Sequence, residues 1–411
     1  MEIKILELRN ETMDRNIDVL FNEGNEVKEK KWHMVFKLKR IFLLLLIPIS
    51  LFILWICKNN SDIAEYIFAR GVIRWITQAI SLVVGIIPYS LMELEIIAVP
   101  IILVIFLARF IIKIISKIRN NKKELDYVIF KEVMNAACTI SILLFIYVIF
   151  AGVNYYRYPF SAISDLTIED SSVEDLYYLN LSLANKAADL REKLHLNDGT
   201  EDEFGVLQLD SMNWKELSNT AANAFDKLSL EYPVFKGNYG APKPVLFSKF
   251  MSRMEITGIF WPFSLEANVN VEAAPYSIPA TMSHELAHLH GFMREDEANF
   301  IAYLACLQSE NLEFQYSGVM LALTYASNQL YKESPELYRK VQLNYNEGMF
   351  ADLRDEYFYW KQFEDTVISA VSTTMNDNYL KANNQSDGVK SYGRMVDLLL
   401  AEYKKTQNNV N

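Results

Sequence analysis

Long apolar segments in the first 153 residues constrain the fold more than any other feature of this sequence. The segment 41–57 carries no charged side chain, and Arg40 and Lys58 flank it. Two further apolar segments cover residues 96–115 and 133–153. A chain inside lipid must satisfy its backbone hydrogen bonds internally, and about 20 apolar residues in a helix cross the hydrocarbon core. The sequence therefore predicts three transmembrane helices, near residues 41–57, 96–115 and 133–153.

A further segment, residues 75–92, is less hydrophobic because it contains Thr77, Gln78 and Ser81. Polar side chains of this kind favour a position at the membrane interface over a full crossing. We therefore expect residues 75–92 to be interfacial or re-entrant.

The basic residues predict the orientation in the membrane. Residues 1–40 end in a basic cluster, and a second basic segment covers about 116–131. Such segments stay on the cytoplasmic side. Three spans place both inside, whereas a full crossing at 75–92 places them on opposite sides. We expect a multi-pass cell-membrane protein with a cytoplasmic segment 1–40, a membrane domain 41–153 and an extracytoplasmic domain 154–411.

The charge balance separates these two parts of the chain. Residues 1–160 hold 20 basic and 15 acidic side chains, and the remaining residues hold 20 and 36. The apolar and basic first part is expected to have the lipid bilayer as its partner. The acidic second part lacks the basic patches that neutralise phosphates, so we expect no nucleic acid as a partner. Cys57, Cys138 and Cys306 show no paired spacing, and we expect them to be small buried hydrophobic side chains.

The remainder of the chain has the pattern of a mainly helical, α+β domain. Helical periodicity dominates after residue 162, with short extended segments between residues 242 and 262. Residues 266–270 alternate with the period of a strand, which predicts a small sheet. The fold class expected is a helical membrane part followed by a mainly α domain with a small sheet.

The sequence His-Glu-Leu-Ala-His, which starts at His284, predicts a metal-binding helix. His284 and His288 are four residues apart and therefore lie on one helix face, with Glu285 beside them. A zinc hydrolase needs two neutral imidazoles and a carboxylate that takes a proton from water. The sequence predicts Zn²⁺ at the two histidines and Glu285 as the general base. We expect Ser283 to cap this helix and Gly291 to end it.

A catalytic zinc site needs a third protein ligand, and the acidic run 295–297 supplies candidates. An HExxH helix followed by a helix with Glu-x-x-x-Asn resembles the gluzincin metallopeptidases. The resemblance implies that Glu295 is the third ligand and that Asn299 supports a ligand, with Asn in place of the usual Asp. Glu297 is the alternative ligand, because it shares its helix face with Ile301 and Leu304, which could also be buried.

Further motifs resemble an uncharacterised bacterial membrane family that is catalogued as a domain of unknown function. With the membrane segments and the HExxH helix, they are the motifs at residues 154–157, 266–270, 295–300 and 391–395. The likeness extends over most of the chain from residue 41 on. It implies a metallopeptidase-like domain and brings no known substrate.

Four other residues are weaker candidates. Residues 266–270 could bind a substrate backbone as an added strand, with Asn268 as a substrate contact, and a merely structural strand is an equal alternative. Tyr392 and Arg394 could stabilise an oxyanion, although an ordinary helix start is favoured. His290 lies off the face of the two ligands, and we expect it at the surface or beside a ligand.

Two functions from different classes fit these features. The first is a membrane-anchored zinc metallopeptidase that hydrolyses peptide bonds of an extracytoplasmic protein or peptide. The second is a non-catalytic metal-binding membrane sensor or assembly platform. The intact Glu285 favours the enzyme, because a purely structural metal site needs no general base. Polar flanks at 277–281 and 294–297 exclude an HExxH helix that itself spans the membrane.

Overall fold

The computed structural model describes residues 39–120, 125–196, 200–209, 213–383 and 394–410. The predictions for most of the N-terminal basic cluster and for Tyr392 lie outside the described residues. Over these ranges the chain is mostly helical, with one three-stranded sheet. The predicted fold class is confirmed at this level.

Four helical segments of the described chain are long and apolar enough to cross a bilayer. They are Arg40–Asn59, Ile63–Gly85, Leu91–Asn120 and Leu125–Phe150. Their α-helical parts are α1 (Leu46–Asn59), α2 (Val72–Gly85), α3 (Leu91–Asn120) and α4 (Leu125–Phe150). Few of their apolar side chains are buried, as in a surface that lipid covers. The segments indicate a membrane protein, and three of them overlap the predicted spans.

The element boundaries differ from the prediction in two places. The less hydrophobic segment at residues 75–92 is not one element, because α2 ends at Gly85 and α3 begins at Leu91. Pro88 lies in the turn between them and cannot continue a helix, since it has no backbone N–H. The last predicted span is too long, because α4 ends at Phe150 and a 3₁₀ helix, Gly152–Tyr156, follows.

By its packing the chain divides into two compact units. Unit 1 contains the described residues up to Phe52 and Phe106–Phe145, and unit 2 contains Ile53–Ile105 and Ile146–Asn411. In unit 1 the Ser141 hydroxyl donates to the carbonyl of Leu43 at 2.7 Å, which joins α4 to the first apolar segment. Unit 2 combines the expected extracytoplasmic domain with α2 and the first part of α3.

The helices of unit 2 after residue 154 form most of its core. They are α5 (Phe160–Ile163), α6 (Val173–His195), α7 (Trp214–Glu231), α8 (Ser248–Arg253), α9 (Ile278–Leu289), α10 (Glu295–Gln308), α11 (Leu312–Glu333), α12 (Pro335–Gln342), α13 (Glu347–Lys361), α14 (Val367–Ala382) and α15 (Met395–Val410). Ser172 and Asn213 begin α6 and α7 as capping boxes, which satisfy backbone N–H groups that the first helical turn leaves free.

The sheet consists of β1 (Lys243–Val245), β2 (Gly258–Trp261) and β3 (Glu266–Asn270). The order is β1-β3-β2, with β1 parallel and β2 antiparallel to β3. Both edges of β3 are therefore occupied, so the interpretation of residues 266–270 as a site for an added substrate strand is wrong. In the described part of the chain, β2 has a strand on one side only.

A buried ion pair joins α6 to α13. The Arg191 Nε donates to Asp352 Oδ2 at 2.8 Å, and both side chains are almost fully buried. Asp352 also accepts from the backbone N–H of Leu207 at 2.8 Å and from the Tyr316 hydroxyl at 2.7 Å. These donors compensate the carboxylate for the water that it loses on burial.

Candidate metal centre

Helix α9 carries the predicted metal ligands. It begins directly after Ser277, with Pro279 in its first turn, where a missing backbone N–H costs no hydrogen bond. Ser283 lies inside the helix and its buried hydroxyl donates to the Pro279 carbonyl at 3.0 Å, so the predicted N-cap is wrong. The expected end of the helix is confirmed, since Gly291 has a φ of 87° that favours glycine.

Arg157 holds the turn at the end of α9. Its Nη1 donates to the carbonyls of His290 and Gly291 at 3.2 and 3.0 Å, and its guanidinium lies 4.2 Å from the centre of the Phe292 ring. Its other nitrogens pair with the buried Glu65 carboxylate at 2.9 and 3.1 Å. A cation is favourable at a helix C-terminus because free carbonyls point there. Arg157 thereby fixes the direction in which the chain leaves α9.

The turn brings the first residue of α10 back to the histidines. The Glu295 carboxylate oxygens lie 3.3 Å from His284 Nε2 and 3.6 Å from His288 Nε2. One ligand atom from each of these three residues falls within 4.8 Å of the others. Two imidazoles and one carboxylate are a donor set of catalytic zinc sites, and the three residues therefore fit Zn²⁺.

Both imidazoles are oriented by contacts of their second nitrogen. His284 Nδ1 lies 2.8 Å from Asn299 Oδ1, and His288 Nδ1 lies 2.7 Å from the Phe292 carbonyl. A carbonyl only accepts, so Nδ1 of His288 carries the hydrogen and its Nε2 lone pair is left for a metal. Asn299 Nδ2 donates to the Tyr325 hydroxyl at 3.1 Å, which turns Oδ1 toward His284. Contacts of this kind fix the tautomer of a metal-binding histidine.

The charged groups at the centre change one another's pKa. Burial lowers the pKa of His284, but the hydrogen bond and the charge of Glu295 outweigh burial and raise it to about 9. Burial and the positive charge of His284 lower the pKa of His288 to about 4. Burial raises the pKa of Glu295, and the two histidines more than offset this, so that its pKa is lowered. Without metal the centre holds one imidazolium and one carboxylate at neutral pH.

Glu285 lies beside this cluster and against β2. The backbone N–H of Phe260 donates to its carboxylate, whereas Oε2 is buried and has no hydrogen-bond partner among the described residues. A Cβ added at Gly258 would lie 2.5 Å from Glu285 Oε1, so only glycine allows β2 this close. Burial raises the pKa of Glu285 to about 8, which is a value suited to proton transfer near neutral pH.

Glu297, the alternative third ligand, has other partners. Its Oε1 accepts from the backbone N–H of Phe160 at 3.0 Å and pairs with Arg294 Nη1 at 2.9 Å. It does not belong to the group of possible ligand atoms found among the described residues. Of the two candidates, the structure therefore brings Glu295 to the histidines.

A family model matches most of this chain. The model of a protein of unknown function (DUF3810) matches residues 68–400. The chain belongs to the DUF3810 family. No curated protein and no solved structure matches it. The resemblance to an uncharacterised family is thus confirmed, and the metal centre lies within the DUF3810 region.

The weaker candidates of this DUF3810 protein do not belong to the ligand cluster of the described residues or lie outside these residues. Asn268 is fully buried, and its Nδ2 donates to the carbonyls of Ile259 and Glu266, both at 3.3 Å. Arg394 Nε lies 3.6 Å from Asp296 Oδ2, next to Glu295 along α10. Tyr392 lies outside the described residues. Asn268 Nδ2 therefore supports the sheet, whereas a substrate contact at Asn268 stays a prediction.

His290 is a core residue, and the expectation that it lies at the surface or beside a ligand is wrong. Its ring stacks on Phe225 with a centroid distance of 4.7 Å and lies 4.0 Å from the Tyr239 ring. Burial lowers its pKa to about 3, with Arg74 and Arg157 adding to the effect. A neutral imidazole in this aromatic environment contributes packing.

Two tyrosines that sequence reasoning missed lie near the centre. The Tyr155 hydroxyl donates to the Tyr379 hydroxyl at 3.1 Å. Loss of water raises the pKa of the buried Tyr155 and of the partly exposed Tyr379, and the charge of Glu295 raises both further, so both remain protonated donors. Tyr155 lies in the motif at residues 154–157, which is part of the resemblance to the uncharacterised family. Tyr379 had no signal, because it lies in none of the motifs of the sequence.

Proposed function

We propose that this protein is a membrane-anchored zinc metallopeptidase of the gluzincin type that hydrolyses peptide bonds of an extracytoplasmic protein or peptide. One observation carries the proposal: the buried Glu285 Oε2 has no partner in the described chain, beside a three-residue zinc donor set. A buried carboxylate oxygen without a partner is costly in a purely structural site. It is expected where the oxygen takes a proton during a reaction.

His284, His288 and Glu295 would hold the metal, and Asn299 would orient one imidazole. Bound zinc supplies a Lewis acid that activates water and polarises a carbonyl. Glu285 accepts a proton at Oε2 while the Phe260 N–H holds its carboxylate. The same carboxyl group can then return the proton to the leaving amine. Tyr155 and Tyr379 are neutral hydroxyl donors on the side of Glu295.

The first experiment compares wild-type protein with Glu285→Gln, both full-length and in detergent. We expect one zinc per chain in both, and cleavage of a mixed peptide library, read by mass spectrometry, only with the wild type. Loss of the general base should reduce turnover by several powers of ten. Zinc binding without any cleavage by the wild type would favour the sensor or assembly platform. Equal cleavage by both proteins would refute the role of Glu285.

The second experiment distinguishes the two possible third ligands. Zinc titration of Glu295→Gln should show a loss of affinity greater than about 100-fold, because loss of a ligand exceeds the ~10–100-fold cost of losing a supporting contact. Glu297→Gln should retain zinc, since this carboxylate binds the Phe160 N–H and Arg294. The reverse order would make Glu297 the ligand.

The third experiment tests the proposed orientation, with residues 1–40 and 116–131 inside and 154–411 outside. Leu343 is 86% exposed, so Leu343→Cys presents a thiol to solvent. The three native cysteines are buried, and the wild type provides the background. A membrane-impermeant reagent should label the variant on intact cells. Labelling only after lysis would place this domain inside.

A further inference from the structure

The edge strand beside Glu285 is tied to the start of a membrane segment. Trp261, the last residue of β2, donates from Nε1 to Glu95 Oε2 at 2.6 Å, and Glu95 lies in the first turns of α3. Trp261 also packs with Met92 of α3 and with Val245. The strand that contacts the proposed general base is therefore adjacent to the point where α3 begins.

The other two strands have contacts in the same region. The Glu266 carboxylate of β3 accepts from the backbone N–H groups of Leu91 and Met92, both at 3.1 Å. Lys243 of β1 pairs with Glu266 at 2.5 Å and donates to the Tyr89 carbonyl at 3.1 Å. Glu266 thus satisfies the free N–H groups at the N-terminus of α3. The whole sheet lies at the end of a segment that is apolar enough to cross a bilayer.

An apolar turn projects beside this contact. The Glu93 carboxylate accepts from the backbone N–H groups of Leu246 and Phe247 at 3.0 and 2.8 Å. This bond attaches the turn between β1 and α8 to the first turn of α3. The side chains of Leu246, Phe247 and Phe250 are nevertheless 70%, 59% and 55% exposed. Three large exposed apolar side chains beside a membrane segment indicate an interaction surface.

Helix α2 presents a second apolar face in the same region. Its buried side chains are Thr77, Gln78 and Ser81, and two of them bind the segment that leads to β1. Gln78 Oε1 accepts from the Asn238 N–H and Ser81 Oγ from the Gly240 N–H, both at 3.3 Å. The side chains on its other side are large, apolar and about two-thirds exposed: Val72, Trp75 and Val83. A polar face on protein and an apolar face outward are typical of a helix at the bilayer interface.

A third apolar stripe lies along α14 and ends at Tyr379. Ile368, Val371, Met375 and Tyr379 follow one another along α14 at steps of three and four, so they share a face. Each is more than 40% exposed. Tyr379 ends the stripe, and its hydroxyl accepts from the Tyr155 hydroxyl at 3.1 Å. This stripe is a third exposed apolar surface of unit 2.

We infer that unit 2 rests on the bilayer surface through α2 and the exposed side chains of Leu246, Phe247 and Phe250, and that its substrates are polypeptide segments held at that surface by a membrane anchor. The inference rests on the proposed peptidase function. Lipid is the occupant that the structure favours, because Leu246 and Phe247 are bound to the start of α3 and α2 ends six residues before α3 begins. The metal centre stands at the membrane surface, and the strand beside Glu285 shares this position.

The first test measures contact with lipid and needs no activity. Full-length Phe250→Cys carries an environment-sensitive fluorophore in proteoliposomes that contain brominated lipids, and Leu343→Cys is the control. We expect lipid quenching at position 250 and aqueous iodide quenching at position 343. Quenching of the label at 250 by iodide alone overturns the inference. Shielding from both quenchers also overturns it, because a second copy or another protein then covers this face.

The second test measures the substrate class with one cleavable sequence from the peptide library. The sequence is presented to reconstituted wild-type protein as a soluble peptide and fused directly to a transmembrane segment. At equal bulk concentration the anchored form should be cleaved at least about tenfold faster, since anchoring raises effective concentration. A long Gly/Ser linker between anchor and cleavage site should remove the advantage. Equal rates for all three overturn the inference and leave the peptidase proposal intact.

A pair of variants separates docking from chemistry. Phe247→Ser combined with Phe250→Ser should slow cleavage of the anchored substrate and leave cleavage of the soluble peptide unchanged. Leu343→Ser, the matched control, should leave both unchanged. If the wild type cleaves neither substrate, the peptidase proposal fails and the substrate class fails with it. Lipid contact at Phe250 is then decided by quenching alone.

Discussion

Substitution of Gly258 by alanine is the sharpest test of the contact between β2 and the proposed general base. The new Cβ would lie 2.5 Å from Glu285 Oε1 and 2.8 Å from Thr281 Cγ2. Ordinary contact begins at 3.4 Å, so the Glu285 carboxylate or the strand must shift by roughly 1 Å. A displacement of about 1 Å can cost about 100-fold in rate, which corresponds to about 2.7 kcal/mol of barrier.

The assay is kcat for a peptide that the wild type cleaves, together with zinc content and thermal unfolding in detergent. We expect kcat to fall by about 100-fold in Gly258→Ala while zinc is retained, because Glu285 is not a ligand. Gly152→Ala is the matched control, since its added Cβ would find its nearest atom at 3.4 Å. A kcat within about threefold of wild type, in a folded protein that binds zinc, would refute the close coupling of β2 to Glu285.

Three further predictions concern the metal ligands and the core. Asn299→Ala should lower zinc affinity by about 10–100-fold in a metal titration, because His284 loses the contact that fixes its tautomer. Zinc binding at pH 7 should release at least one proton, because the raised pKa of His284 keeps it protonated in the metal-free protein. Calorimetry in buffers of different ionisation enthalpy measures this proton, and the zinc affinity should rise with pH up to about 9. Asp352→Ala should cost about 3–5 kcal/mol of stability, because it leaves Arg191 buried without its main partner. Asp189→Ala breaks an exposed pair and should cost less than about 1 kcal/mol. Similar shifts in thermal unfolding for the two variants would contradict this difference.

Much of the ligand geometry follows from local sequence. The four-residue spacing places His284 and His288 on one helix face, and the left-handed conformation of Gly291 allows the chain to reverse after α9. The second helix then begins at Glu295, as its acidic first turn predicted. These features depend on helical periodicity and on one backbone dihedral angle, which a sequence encodes within a few residues.

Local sequence was misleading where two patterns competed. Serine is a preferred N-cap residue, but at Ser283 the residues before it are also helical and α9 begins at Ile278. Residues 75–92 look like one apolar stretch, although a turn with Pro88 divides them. The strand pattern of residues 266–270 predicted the sheet correctly and could not reveal that β3 is central, because strand order depends on long-range pairing.

The sequence by itself determined the apolar helical segments, the mainly helical domain and the candidate ligands His284 and His288 on one helix face, since these follow from composition and periodicity. Only the tertiary structure decided that Arg157 holds the end of α9, that β2 contacts Glu285 and that Tyr379 lies beside Tyr155. Each of these contacts joins residues far apart in the chain, and no local pattern specifies such a pair. The choice between Glu295 and Glu297 was of the same kind, because both carboxylates fit the helix period and only packing against Phe160 and Arg294 separates them.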